Sequence, residues 1–170
     1  VGLGKLLRQG KIKKAIGSYF TSNRDVGDYY LQGKLQIQVL PQGTLAESIR
    51  AGGAGIGGFY TKTGAGTELA KGKETREING EVFVLESPLR ANVALIKAHK
   101  ADRLGNLVYY KTARNFNPIM ATSADYCIAE VDEIVETGEL RPEEIVTPHL
   151  YVDAIVRSGY MLTKEGVVPR

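Results

Sequence analysis

Leu35-Gln36-Ile37-Gln38-Val39-Leu40-Pro41-Gln42-Gly43-Thr44-Leu45-Ala46-Glu47-Ser48-Ile49-Arg50-Ala51-Gly52-Gly53 changes its hydrophobic period halfway along. From Leu35 to Leu40 apolar and polar residues alternate, the two-residue period of a β-strand. Pro41 ends the strand, and Gln42-Gly43 reads as a turn. Beyond it Leu45 and Ile49 stand four apart, the spacing of one helix face, while Thr44 and Glu47 have the spacing of a capping box. Gly52-Gly53 closes the helix. A strand that leads directly into a helix is the repeating step of an α/β fold.

The flanking sequence extends that step in both directions. Ala15-Ile-Gly-Ser-Tyr-Phe20 ends a strand pattern, and Asn23 to Leu31 reads as a helix with Asn23 as its cap and Gly33 as its stop. Downstream, Thr75 to Ile78 and Glu81 to Leu85 flank Asn79-Gly80, a strong hairpin signal. Val93-Ala-Leu-Ile-Lys-Ala98 is a continuous apolar run, expected of a strand buried on both faces. Leu107 to Tyr110, Tyr126 to Val131 and Tyr151 to Val156 are further strands, with a turn at Leu104-Gly-Asn106. Asn115 to Ala121 reads as a short helix carrying Pro118 in its first turn, and Pro142-Glu-Glu-Ile145 as a helical turn. The expectation is one α/β domain over residues 1–170. Its open, mostly parallel sheet is flanked by helices and carries an added antiparallel hairpin.

Composition narrows the function classes. Apolar residues make up 43% and charged residues 24% of 170 residues, which suits a globular chain with a real core. The net charge of +3 is scattered, and Lys11, Lys13 and Lys14 form a solvated face rather than a nucleic-acid footprint. No stretch approaches the ~20 apolar residues of a membrane span, and no signal-peptide pattern opens the chain. The single cysteine, Cys127, excludes an intramolecular disulfide. Its setting, Asp125-Tyr-Cys-Ile-Ala129, reads as a buried strand, and the compartment is expected to be the reducing cytosol. The chain opens at Val1 in a pattern that reads as the interior of a helix or turn, so an N-terminal piece is expected to be absent.

Three short stretches could carry chemistry. Gly53-Ala-Gly55-Ile-Gly-Gly58 matches the dinucleotide pattern G-x-G-x-x-G, but it follows a helix and leads into the β-prone Phe59-Tyr60-Thr61. A dinucleotide site needs the reverse order, strand then helix, so NAD binding is rejected. The glycines could instead pack against a neighbouring chain, line a ligand channel or form a flexible loop. Gln42 sits at the carboxyl end of a strand, where ligands bind in open α/β sheets; its carboxamide could donate to an anionic oxygen or merely brace the turn. Asn115 could cap the following helix or place an amide over a pocket. His99 and His149 lack metal-ligand spacing, and no nucleophile elbow, phosphate loop or zinc-protease motif is present. These residues describe an acyl- or anion-friendly loop region without an evident nucleophile.

The run from Leu40 to Thr67, Leu-Pro-Gln-Gly-Thr-Leu-Ala-Glu-Ser-Ile-Arg-Ala-Gly-Gly-Ala-Gly-Ile-Gly-Gly-Phe-Tyr-Thr-Lys-Thr-Gly-Ala-Gly-Thr, resembles the α subunits of class I CoA transferases, the acetate:acetoacetate and succinyl-CoA:3-ketoacid enzymes. Leu89-Arg-Ala-Asn-Val-Ala-Leu-Ile-Lys-Ala98, Ala101-Asp-Arg-Leu-Gly-Asn-Leu107, Ala113-Arg-Asn-Phe-Asn-Pro118 and Glu136-Thr-Gly-Glu-Leu140 agree in order and spacing. The resemblance covers nearly the whole chain. It implies the fold that CoA transferases share with sugar-phosphate isomerases. It also implies an enzyme completed by a β subunit in an αβ or α2β2-type assembly, with CoA as substrate and no cofactor or metal. The family's nucleophilic glutamate, which forms a glutamyl-CoA thioester, lies in a Ser-Glu-Asn-Gly motif of the β part that is not found here. The resemblance assigns Gln42 to the reacting carboxyl group and Gly52, Gly53, Phe59, Thr63 and Asn115 to the substrate. The family's opening strand and Gly-Gly-Phe loop are not in this sequence, so a sheet edge or core face is expected to lie exposed. The alternative function is a non-catalytic sugar-phosphate or CoA-binding module on the isomerase-like fold.

Overall fold

The computed structural model describes residues 3–163 and 166–169. The chain divides into two compact units. One comprises the residues up to Ser48 together with Gly58–Ser87; the other comprises Ile49–Gly57 together with the residues from Pro88 onward.

The first unit opens with α1 (Leu3–Arg8), β1 (Lys14–Gly17), α2 (Arg24–Leu31) and β2 (Gln36–Val39). β1 and β2 pair in parallel from Lys14↔Gln36 to Gly17↔Val39, with α2 as the crossover. The expected cap forms: Asn23 Oδ1 accepts from Asp25 N at 3.1 Å, satisfying a donor that the first helical turn leaves open. Gly33 stops the helix with φ of +69°, which glycine adopts without strain. Leu7, Leu35 and Leu40 are buried in this unit.

Helix α3 (Gln42–Gly53) corrects two expectations. Gln42-Gly43 is not a turn but the start of the helix, because the Pro41 carbonyl already accepts from Leu45 N at 2.8 Å. Thr44 and Glu47 therefore lie inside the helix and form no capping box. The hydroxyls of Thr44 and Ser48 are instead buried, and neither has a hydrogen-bond partner among the described residues.

β3 (Phe59–Thr61), β4 (Thr75–Ile78) and β5 (Glu81–Glu86) form an antiparallel sheet in the order β3-β5-β4. Asn79 and Gly80 turn the β4–β5 hairpin with φ of 53° and 78°, the paired positive values of a type I′ turn. Buried Glu86 is compensated by Lys73 Nζ at 2.7 Å.

The second unit holds β6 (Ala91–Asp102), β7 (Leu107–Val108), α4 (Asn117–Thr122), β8 (Ala124–Val135), β9 (Ala154–Arg157) and a separate antiparallel hairpin of β10 (Tyr160–Thr163) and β11 (Gly166–Pro169). Sheet order is β7-β6-β8-β9, with β6, β8 and β9 parallel and β7 antiparallel. The core gathers Ala94, Ile96, Ala98, Ala101, Leu107, Ala121, Cys127, Ala129 and Val131. Its many alanines let α4 lie close to β6 and β8.

The expected burial of Val93 to Ala98 on both faces does not hold: Val93 and Leu95 are 51% and 68% exposed. From Val93 to Ala98 only Ala94, Ile96 and Ala98 are buried, so this apolar run is one core face and one open face. Tyr151 belongs to a 3-10 turn, His149–Tyr151, and the strand expected from Tyr151 begins at Ala154. The β10–β11 hairpin is not among the elements expected from the sequence.

The Ala101 to Leu107 stretch is held by one carboxylate. Asp102, 2% exposed, accepts on Oδ1 from Leu104 N (3.1 Å), Gly105 N (3.0 Å) and Asn106 N (2.9 Å), and on Oδ2 from Asn106 Nδ2 (2.8 Å). Burial alone would raise its pKa, but these donors outweigh it and hold the carboxyl below its ordinary value. Gly105 takes φ of +106° beside Val152. The stability from Asp102 is present above its unfolded pKa and is lost as pH falls through the lowered folded value.

Asp102→Ala strands the backbone donors of Leu104 and Asn106, while Gly105 N keeps the Asp102 main-chain carbonyl at 3.0 Å. The change is expected to cost about 2–4 kcal/mol in urea unfolding; a loss under 1 kcal/mol would refute this account. Burial, followed by the Asp153 charge, pushes the Cys127 thiol up to about 11. The folded state thus keeps a proton that the unfolded chain releases from its ordinary pKa of 9.0 upward. This contribution is full below that pH and declines toward 11. Cys127 is expected to resist alkylation at about pH 8 until urea unfolds the chain; rapid native labelling would contradict that.

Candidate functional site

Parallel pairing brings the carboxyl ends of β1 and β2 side by side, and Leu40 N donates to Gly17 O at 3.0 Å to close the pair. Ser18 leaves β1 at that point, and Gln42 follows β2 after Leu40 and Pro41. The Ser18 hydroxyl donates to Gln42 Oε1. Gln42 is exposed, so its carboxamide stands at the strand ends with its oxygen engaged and its nitrogen able to donate outward. The sequence alone does not single out Ser18. Its signal, a hydroxyl at the end of the strand paired with β2, becomes legible only with the register.

An open cleft of about 340 Å³ lies beside Gly43, Thr44 and Glu47 on α3 and Phe59, Tyr60, Thr61 and Thr63 on and after β3. Phe59 and Thr63 therefore line one cleft, next in sequence to Gln42 on its helical side. Tyr60 donates to Glu74, and that hydrogen bond, with desolvation adding to it, raises the phenol's pKa above its ordinary value. Arg76 stacks 4.9 Å from the Tyr60 ring centre.

Gly52, Gly53 and Asn115 belong to the second unit. A Cβ at Gly52 would run into the Leu89 carbonyl, and one at Gly53 into Thr122. Their identity is thus required by the close approach of α3's last turn to those backbones. Arg90 Nη1 reinforces this contact by donating to Gly52 O at 3.2 Å. The helix ends in a Schellman arrangement, with Ile56 N to Ala51 O at 2.9 Å and Gly55 at φ of +70°.

Asn115 does not cap α4. The cap position is Phe116, without a side-chain bond, and Asn115 is an exposed residue ending the preceding 3-10 turn. Asn117 is the structural amide here, donating to Ala113 O at 2.6 Å and accepting from Lys97 N at 3.0 Å. Among the described residues, no group of three or more His, Cys, Asp or Glu could hold a metal ion. Nor, among them, is any helix long and apolar enough to cross a membrane.

Comparison with known proteins converges on one family. The sequence profile described as "Coenzyme A transferase" matches residues 1–158. A succinyl-CoA:3-ketoacid coenzyme A transferase subunit of Xanthomonas campestris pv. campestris is 56% identical over 155 residues, covering 91% of this chain and 64% of that protein. The alpha subunit of the acetate CoA-transferase of Escherichia coli K12 is 49% identical over 157 residues, covering 92% of this chain and 71% of that protein. The chain thus spans about two thirds of these relatives' length. In fold, it is similar to an acyl-CoA transferase of Escherichia coli O157:H7 solved as a thioester complex with CoA. The TM-score is 0.80 at 20% identity, over 93% of this chain and 35% of that one.

Gly53→Ala drives a methyl into Thr122 and is expected to lose about 2–3 kcal/mol. Gly43→Ala, with nothing within 4 Å of the added methyl, is expected to be neutral or stabilising by up to ~1 kcal/mol. Equal unfolding midpoints for the two variants would refute the close-approach account of Gly53.

Proposed function

The chain belongs to the coenzyme A transferase family, and from that premise we propose that it works as the α subunit of an enzyme transferring CoA between a short-chain acyl-CoA or 3-oxoacyl-CoA and a carboxylate. The observation that carries this reading is the exposed Gln42 carboxamide at the carboxyl end of β2, with its oxygen engaged by Ser18. A neutral donor in that position suits an acyl oxygen on which negative charge develops.

In this reading the nucleophile is a glutamate of a β subunit, which attacks the acyl-CoA carbonyl. The resulting anhydride is opened by the CoA thiolate to give a glutamyl-CoA thioester and the free carboxylate. Gln42 Nε2 donates to the acyl oxygen during those steps. Phe59 and Thr63 bound the acyl cleft. Gly52, Gly53 and Asn115 are substrate-binding positions on the strength of the family resemblance alone. CoA is a substrate, and neither a resident cofactor nor a metal takes part. The assembly is of αβ or α2β2 type and works in the cytoplasm.

Gln42→Ala, assembled with the β subunit, is expected to slow formation of the enzyme–CoA thioester roughly 100-fold or more, the scale of one lost preorganised donor. Single-turnover measurement with acetoacetyl-CoA provides the test. Thioester formation at the unaltered rate would refute the role of Gln42.

A further inference from the structure

A carboxamide has two ends of nearly equal shape and opposite chemistry: the nitrogen donates and the oxygen accepts. At the proposed site the difference decides the outcome, because a donor stabilises a forming oxyanion and an outward carbonyl repels it. The last torsion of glutamine is broad and close to two-fold, so an exposed amide has little intrinsic preference for either end. Something must choose.

The Ser18 hydroxyl is placed to choose. It donates to Gln42 Oε1 across 24 residues of sequence. Its position is not that of a loose surface contact, since Gly17, immediately before it, ends the β1 register opposite Val39 and its carbonyl holds Leu40 N at 3.0 Å. Gln42 is equally constrained on its own side, where Pro41 O accepts from Leu45 N at 2.8 Å and sets the first turn of α3. Both side chains therefore leave one hydrogen-bonded frame. Phe20 adds a further constraint, its ring lying 3.1 Å from where a Cβ on Gly17 would sit. A methyl there would need the Phe20 ring to give way by a few tenths of an ångström, so glycine suits the close packing just before Ser18.

We propose that Ser18 is a positioning residue for Gln42: its hydroxyl holds Oε1 and so presents Nε2 to the reacting oxygen. The proposal rests on the reading of Gln42 given above. Ser18 itself does not touch the substrate. It acts through the amide, and its removal lets the carbonyl end face the developing charge for part of the time. Substrate affinity depends on many contacts, whereas the oxyanion depends on this donor, so the effect falls on the chemical step.

The test compares Ser18→Ala, Ser18→Thr, Gln42→Ala and the Ser18→Ala/Gln42→Ala pair, each assembled with the β subunit, in single-turnover formation of the enzyme–CoA thioester from acetoacetyl-CoA. Ser18→Ala is expected to lower the rate constant roughly tenfold, the scale of one hydrogen bond, with the half-saturating acyl-CoA concentration nearly unchanged. Ser18→Thr keeps the hydroxyl and is expected to recover most of the rate. Once Gln42 is alanine, the second change is expected to cost nothing further. A normal rate for Ser18→Ala beside a slow Gln42→Ala would overturn the Ser18 proposal alone, and so would additive losses in the pair. A normal rate for Gln42→Ala would overturn the reading of Gln42 as well. A second readout is independent of turnover. In the ¹⁵N-labelled chain, Ser18→Ala is expected to shift the Gln42 side-chain amide signals while distant backbone signals stay in place. Unmoved side-chain signals would likewise overturn the proposal.

Discussion

The hydrogen bond from Leu40 N to Gly17 O closes a parallel pair only four residues long, and the candidate site depends on it. Parallel strands cannot be joined by a tight turn, so α2 must carry the chain back before β2 can begin. Once that crossover is made, both strands end on the same side. Residues that leave those ends, Ser18 and Gln42, then meet without either being close to the other in sequence. The site is thus a consequence of strand direction before it is a consequence of side-chain choice.

Helix α3 connects this constraint to a second one. Its first turn begins at Gln42, and its last turn ends on glycines because Leu89 and Thr122 leave no room for a Cβ. A residue type that weakens a helix interior by about 1 kcal/mol is retained where backbones must approach. The buried hydroxyls of Thr44 and Ser48, lacking partners among the described residues, are a cost carried on the same helix. The β6–β8 pair shows the complementary solution, with alanines along the packed face so that α4 lies close without glycine's entropic penalty.

Local features were legible where the backbone rule is itself local. Asn23 caps, Gly33 stops, Asn79-Gly80 turns the hairpin, and Cys127 is buried, each as the residue's own chemistry dictates. The misreadings share a cause. Thr44 and Glu47 have capping-box spacing, yet the helix starts two residues earlier because the Pro41 carbonyl is already in use. Asn115 reads as the cap of the following helix, but the amide with the structural role is Asn117, which accepts from Lys97 N on a neighbouring strand. Val93 and Leu95 look like core from their neighbours, but burial depends on what lies over a face, which a single strand's pattern does not contain.

Read alone, the sequence determined the alternation of strands and helices, the turn types, the resemblance to CoA transferase α subunits and the glutamine on which the proposed chemistry rests. The alternation follows from dihedral preferences and from periods that extend over a few residues, whereas the part given to the glutamine comes from the resemblance. Only the tertiary structure decided that Ser18 meets Gln42, that Gly52 and Gly53 answer to Leu89 and Thr122, and that Phe59 and Thr63 border one cleft. Ser18 with Gln42, the glycines with Leu89 and Thr122, and Phe59 with the first turns of α3 are joined by no local period. They depend on the path of the whole chain, and hydrophobic burial and strand direction set that path together.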